Sequence, residues 1–165
     1  MNKIIVLSDT HGNQLLLRKA LQNEENVSIV FHLGDFYEDL DENFDLLENK
    51  TVVKVPGIFH PGYRDKTIPA VQIFTAEDWK FLLVHDPNDI PEKVENIDLI
   101  LFGHTHNRTF FRKKNSYFLN PGHLKKTKDK GQQASYAVLE IYPDFVSIVF
   151  KTPDGEIISQ EKIKR

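Results

Sequence analysis

The chain has no cysteine. That excludes disulfides, iron–sulfur clusters, thiolate zinc sites and a cysteine nucleophile. Any metal must be held by imidazole, carboxylate, amide or water. Long apolar runs are also missing. Stretches such as Ile4–Leu7 and Leu99–Phe102 fall far short of the roughly 20 residues a spanning helix needs. There is no excess of positive charge: 24 acidic against 21 basic residues leave a formal net charge of −3. Binding to a phosphate backbone is therefore not favoured. No internal repeat, low-complexity tract or dividing linker occurs, so a single domain over residues 1–165 is expected. A strand-like run at Lys3–Leu7 leaves no charged-then-apolar leader, and a cytoplasmic protein is expected.

What is present reads as an α/β chain. Apolar residues make up 40% and charged residues 27%, a soluble globular composition. Lys3–Leu7, Ser28–His32 and Thr51–Val55 read as buried strands. Between them, Leu15, Leu16, Leu17 and Leu21 mark one side of a helix ending near Glu24. Leu40, Phe44 and Leu47 mark another over Asp39–Glu48. This alternation argues for parallel strands. The second half changes character. Ala70–Phe74 and Trp79–His85 form a hairpin, Pro91–Asn96 is at best a short helix, and Asp98–Phe102 is a buried strand. Arg108–Arg112, Tyr117–Asn120, Ser135–Tyr142, Phe145–Thr152 and Glu156–Ile163 complete about eleven strands. Two packed mixed sheets with helices outside, a four-layer α/β/β/α sandwich, are expected.

The polar residues cluster where apolar strands end. Asp9-Thr10-His11-Gly12, His32-Leu33-Gly34-Asp35, Gly57-Ile58-Phe59-His60, His85-Asp86 and Gly103-His104-Thr105-His106 each follow such a run. In α/β sheets, ligands bind at that edge. Asp9 and His11 are two apart and would face the same way in extended chain, as would His104 and His106. Asp35 can bridge two cations with its two oxygens. Imidazole and carboxylate without thiolate suit manganese, iron, nickel, cobalt or zinc better than calcium. A lone Asp-x-His is a common surface-loop sequence, and His32 alone reads as a strand-end filler. Five such clusters in order are hard to produce by core packing.

This ordered set resembles the calcineurin-like metallophosphoesterases, most of all their small, cap-free bacterial and archaeal phosphodiesterase branch. That branch is related to the metallophosphoesterase-fold scaffold subunit of retromer. The motifs are Asp9-x-His11, Gly34-Asp35, Gly57-Ile58, His85, Gly103-His104-x-His106 and Asn120-Pro121-Gly122. The resemblance implies two divalent metal ions. Asp9, His11, Asp35 and His106 would hold one; Asp35, His85 and His104 the other. A bridging hydroxide would attack phosphorus, so His85 and His104 count among the catalytic residues. Asn120 and His123 would lie beside the rim as substrate contacts; His123 also reads as a plain turn residue. One departure stands out. The family places an asparagine on the second metal where this chain has Ile58. His60, two residues on, is the expected substitute ligand or general acid.

The resemblance thus implies a metal-dependent phosphoesterase, most of all a phosphodiesterase, acting on a small phosphoester. A protein-binding scaffold without hydrolysis is the competing expectation. A third idea, nucleic-acid binding through Lys125, Lys126, Lys128 and Lys130, is disfavoured against a solvated flexible loop. No membrane partner is expected, and homodimerisation is left open.

Overall fold

Ile4, Ile5, Val6 and Leu7 have no solvent exposure at all. A strand buried on both faces must lie inside a layered stack. The computed structural model, which describes residues 2–164, puts these residues on β1 (Asn2–Leu7) in the middle of a six-stranded sheet. Beside β1 lie β2 (Ile29–His32) and β3 (Thr51–Lys54), both parallel to it. On its other side run β11 (Tyr136–Ile141), β12 (Phe145–Lys151) and β13 (Ile157–Lys164), all antiparallel in succession. The second sheet has the order β4 (Val71–Ala76), β5 (Trp79–Val84), β6 (Leu99–Leu101), β8 (Ser116–Asn120), β7 (Thr109–Lys113). Its three inner strands β5, β6 and β8 are parallel, and its outer pairs antiparallel.

The two sheets pack face to face. Their shared core includes Ile4, Val6, Phe31, Phe81, Leu101, Leu139, Ile148 and Phe150. The far face of the first sheet carries Ile5, Leu7, Val30, Tyr136 and Val138 and is covered by α1 (Gln14–Gln22). Asn13 caps α1, its side-chain oxygen accepting the Leu16 N–H at 3.1 Å. Leu16, Leu17, Ala20 and Leu21 form the buried stripe, whereas Leu15 is 68% exposed. Leu15 therefore does not share the face expected of it; Ala20 closes the stripe instead. The far face of the second sheet is covered thinly. Ile90, Val94 and Ile97 pack on it from an irregular segment after a 3-10 turn at Pro87–Asp89. Pro91–Asn96 forms no helix, being too short to repay helix nucleation.

Two further expectations are corrected. Asp39–Glu48 is not one α-helix. It is a 3-10 segment, Tyr37–Asn43, followed by one α turn, α2 (Phe44–Leu47). Phe44 is 76% exposed, so its expected core face is not used. The chain also has thirteen strands among the described residues, because Lys128–Asp129 (β9) and Gln132–Gln133 (β10) pair as a small hairpin. The lysine-rich stretch is thus not a loose loop. A short helical turn, α3 (Pro61–Arg64), follows β3.

Glu24, just past α1, ties the helix layer to the sheet. Its carboxylate accepts from Tyr136 Oη at 2.7 Å and Lys151 Nζ at 2.6 Å, and lies 3.0 Å from Lys3 Nζ. Burial would raise its pKa, but these three donors together hold it below the ordinary glutamate value. Glu24→Gln should destabilise by about 2 kcal/mol at pH 7, less than for a fully dry ion pair because both lysines keep some solvent contact. The folded pKa lies below the unfolded one, so this stabilisation is complete above the ordinary glutamate pKa. It is lost as pH falls through the folded value. Thermal melts of wild type and Glu24→Gln should therefore differ at neutral pH and converge in acid.

Candidate metal centre

The ends of β1 and β2 in one sheet, and of β5, β6 and β8 in the other, open onto the same edge. Asp9 and His11 follow β1, Asp35 follows β2, His85 follows β5, and His104 and His106 follow β6. Asp9, His11, Asp35 and His106 each offer a ligand atom, and these atoms all lie within 4.8 Å of one another. Asp35 stands between two imidazoles. Its Oδ2 is 3.4 Å from His11 Nε2, and its Oδ1 is 3.4 Å from His85 Nε2. His106 Nε2 is 3.1 Å from Asp9 Oδ1. The His104 ring meets the His85 ring edge-on at 5.3 Å. Gly-His-x-His thus delivers its two imidazoles to different places, His106 to Asp9 and His104 to His85.

The donors that face inward lack partners. Asp9 Oδ1, His11 Nε2 and His85 Nε2 are buried and accept or donate no aligned hydrogen bond. Buried polar atoms are nearly always paired, because leaving one unmet costs about 1–3 kcal/mol. Unmet lone pairs from one carboxylate and two imidazoles are what a divalent cation satisfies. The residues therefore fit a metal centre. The second carboxylate, Asp35, offers one oxygen toward His11 and the other toward His85.

The backbone reaches this arrangement by a route the sequence spacing does not suggest. Asp9, His11, Asp35, His104 and His106 all have positive φ, between 47° and 67°. They are left-handed, not extended. For residues with a side chain this conformation costs on the order of 1–3 kcal/mol each and clusters at functional sites. The chain turns sharply at these five residues, which is how short loops aim several side chains back over the strand ends. Close approach needs a glycine at position 57, where a Cβ would stand 2.0 Å from Asp35 Oδ1.

Support comes from residues the sequence reading missed. Asp129, on β9, accepts from His106 Nδ1 at 2.6 Å and also pairs with Lys126. This leaves Nε2 of His106 to face the cluster. Lying between lysines, Asp129 gave no periodic signal. Asp39 binds Thr10 Oγ1 at 2.6 Å and the Gly12 N–H at 2.8 Å. Thr10 Oγ1 lies 3.2 Å from His32 Nε2, and His32 Nδ1 accepts the Gly34 N–H. Complete burial pushes the His32 pKa down to about 3. His32 is thus a neutral brace between the Asp9 and Asp35 loops.

The charges follow. Burial alone would raise the Asp9 pKa, but His106, His85 and Ser8 hold it below the ordinary value. The close Asp9 carboxylate raises the His106 pKa, with Asp129 adding to it against burial. Burial pushes His11 down, toward the neutral form a metal requires. The hydrogen bond from His106 depresses Asp129.

Other expected residues sit elsewhere. His60 lies at the rim but outside the cluster: its Nδ1 accepts the Gly62 N–H at 2.9 Å and its Nε2 is 2.6 Å from Glu38 Oε1. Asn120 is fully buried behind the rim. Its amide donates to the Gly103 carbonyl and Thr105 Oγ1, and its oxygen accepts from Gly122 N–H. His123 is also fully buried, with Nε2 3.0 Å from the Gln132 carbonyl and its ring 5.5 Å from His106. His85 Nδ1 is held by the Leu33 carbonyl at 2.7 Å, which orients Nε2 toward Asp35. No helix among the described residues is long and apolar enough to cross a membrane.

Residues 2–144 match the calcineurin-like phosphoesterase superfamily domain. Phosphodiesterase MJ0936 of Methanocaldococcus jannaschii is 30% identical over 141 residues, covering 73% of this chain and 82% of that protein. A crystal structure from Streptococcus pneumoniae, described as a predicted phosphoesterase, superposes with a TM-score of 0.74 at 26% identity, covering 99% and 98% of the two chains. Vps29 of Entamoeba histolytica, solved with zinc, superposes with a TM-score of 0.69 at 22% identity over 98% of each chain.

Replacing Asp129 by Ala should weaken divalent-metal binding by about 10–100-fold, the usual effect of losing a carboxylate behind a ligating histidine. Isothermal titration with manganese or zinc reads this directly. Gly57→Ala should displace Asp35 and reduce the metal bound per chain after dialysis, measured by elemental analysis.

Proposed function

The chain belongs to the calcineurin-like phosphoesterase superfamily, and from that we propose that it is a phosphodiesterase with a two-ion centre. The observation that carries this reading is Asp35, which turns one oxygen toward His11 and the other toward His85. Asp9, His11, Asp35 and His106 would hold the first ion. Asp35, His85 and His104 would hold the second. Manganese, nickel, iron, cobalt or zinc suits this donor set. When bound, the pair supplies Lewis acidity toward the phosphoryl oxygens and an ionised water at neutral pH.

The protein's own part is placement. Leu33 and Asp129 fix which nitrogen His85 and His106 present. The Asp39–Thr10–His32 chain keeps the two aspartate loops in register. Burial of Asp9 and Asp35 limits competing water. Ile58 brings no lone pair, and His60 is tied to Glu38 and Gly62, so three protein ligands serve the second ion and leave room for substrate. The substrate on this reading is a small phosphoester, and among the described residues no capping domain covers the rim to select one.

A scaffold reading competes, favoured by Ile58 at the asparagine position and by the likeness in fold to Vps29. Six metal-ligand side chains gathered at one rim oppose it. Metal content and turnover of bis(p-nitrophenyl) phosphate separate the two. Two ions per chain with turnover support the enzyme; no metal bound at any added concentration supports the scaffold. Asp35→Asn should reduce turnover by about 10²-fold or more, the scale of losing charge stabilisation shared between two ions. Near-normal rate and metal content in that variant would count against the two-ion reading.

A further inference from the structure

Beside the metal centre lies a cavity of about 270 Å³ that the ligand set does not use. Asp35, Gly57, His60, Phe36 and Phe59 are among the residues that line it. The two phenylalanines are 51% and 64% exposed. Large aromatic side chains left this open, lining one pocket that shares Asp35 with the metal-ligand cluster, mark a binding surface. The geometry points to a subsite for a flat, uncharged ring esterified to the phosphate, an aryl group or a nucleobase, held against Phe36 and Phe59. The inference rests on the phosphoesterase reading and names the substrate class of that site.

Three observations carry it. Phe36 packs on His11, ring centroids 5.3 Å apart, so whatever stacks on Phe36 is one ring away from the metal-ligand cluster. The cavity is at the small end of ligand pockets, which run to about 300–1,000 Å³, and suits one ring system, not an extended chain. Its polar side is acidic. Glu38 lines it and is paired with His60, whose ring is stacked on Tyr37 at 5.1 Å. A second phosphate would meet the carboxylates of Glu38 and Asp35, so the esterified group in this pocket is neutral. Clamped by Glu38, by Gly62 and by Tyr37, His60 is a fixed wall that positions the ring.

Phosphonates test this without turnover. Inorganic phosphate, methylphosphonate, phenylphosphonate and thymidine 5′-monophosphate are titrated calorimetrically into manganese-loaded protein. Phenylphosphonate should bind about tenfold more tightly than methylphosphonate, the order expected for one stacked ring. That ratio should fall toward one in Phe59→Ala and in Phe36→Ala, and return in Phe59→Tyr. A matching Phe59-dependent gain for thymidine 5′-monophosphate assigns the pocket to nucleobases; a gain for phenylphosphonate alone assigns it to aryl esters. Metal content and melting temperature, read on each variant, show that the fold and centre persist. A ratio near one in wild type, or a preference that survives both alanine variants, overturns the subsite while phosphate binding keeps the phosphoesterase reading. Failure of inorganic phosphate to bind the loaded protein overturns both.

Discussion

A carboxylate with no solvent contact organises this molecule. Asp9 is completely buried, and an ionised group in that position costs several kcal/mol unless its surroundings answer it. Here they do. Ser8 Oγ and the His104 backbone N–H donate to Oδ2, and His106 stands at Oδ1. Each of these donors comes with a piece of architecture attached. Ser8 is the exit of the central strand, and the His104–His106 turn is the exit of the second sheet's middle strand. The demand of one buried carboxylate therefore pins the edges of the two sheets together at the rim.

The histidines divide the work around that carboxylate. His106 and His85 each use Nδ1 to grip the protein and leave Nε2 facing inward. His32 uses both nitrogens within the protein and is neutral throughout the physiological range. His60 likewise has both nitrogens engaged at the rim, by Glu38 and Gly62. The same side chain is thus available to the cluster or a brace according to how many of its nitrogens the neighbouring loops engage.

The layered fold and the rim were legible in the sequence because apolar runs and the residues that end them are local signals. The pairing of imidazole with carboxylate was legible for the same reason. What escaped was anything that depends on a long-range hydrogen bond or an unusual φ. Asp129 sits in a lysine-rich stretch and acquires meaning only when the β9–β10 hairpin folds against His106. Asp39 read as the start of a helix, yet it is held by Thr10 and the Gly12 N–H from the first loop. Extended spacing for Asp9-x-His11 gave the right convergence by the wrong geometry, since both residues are left-handed. Leu15 was misassigned because three consecutive leucines cannot all share one helical face.

The strand order has a consequence during synthesis. β1 is paired on one side by β2, which follows soon after it, and on the other by β11, which begins only at Tyr136. At about 5–20 residues per second, a ribosome takes on the order of ten seconds between the two. Until then the edge of β1 that β11 covers in the finished sheet has no partner strand, and an open apolar edge is the kind that pairs with another nascent chain. All the metal-ligand residues through His106 have been translated before β11 closes that edge. The protein is therefore most exposed to aggregation after its chemistry has been written and before its central sheet is finished.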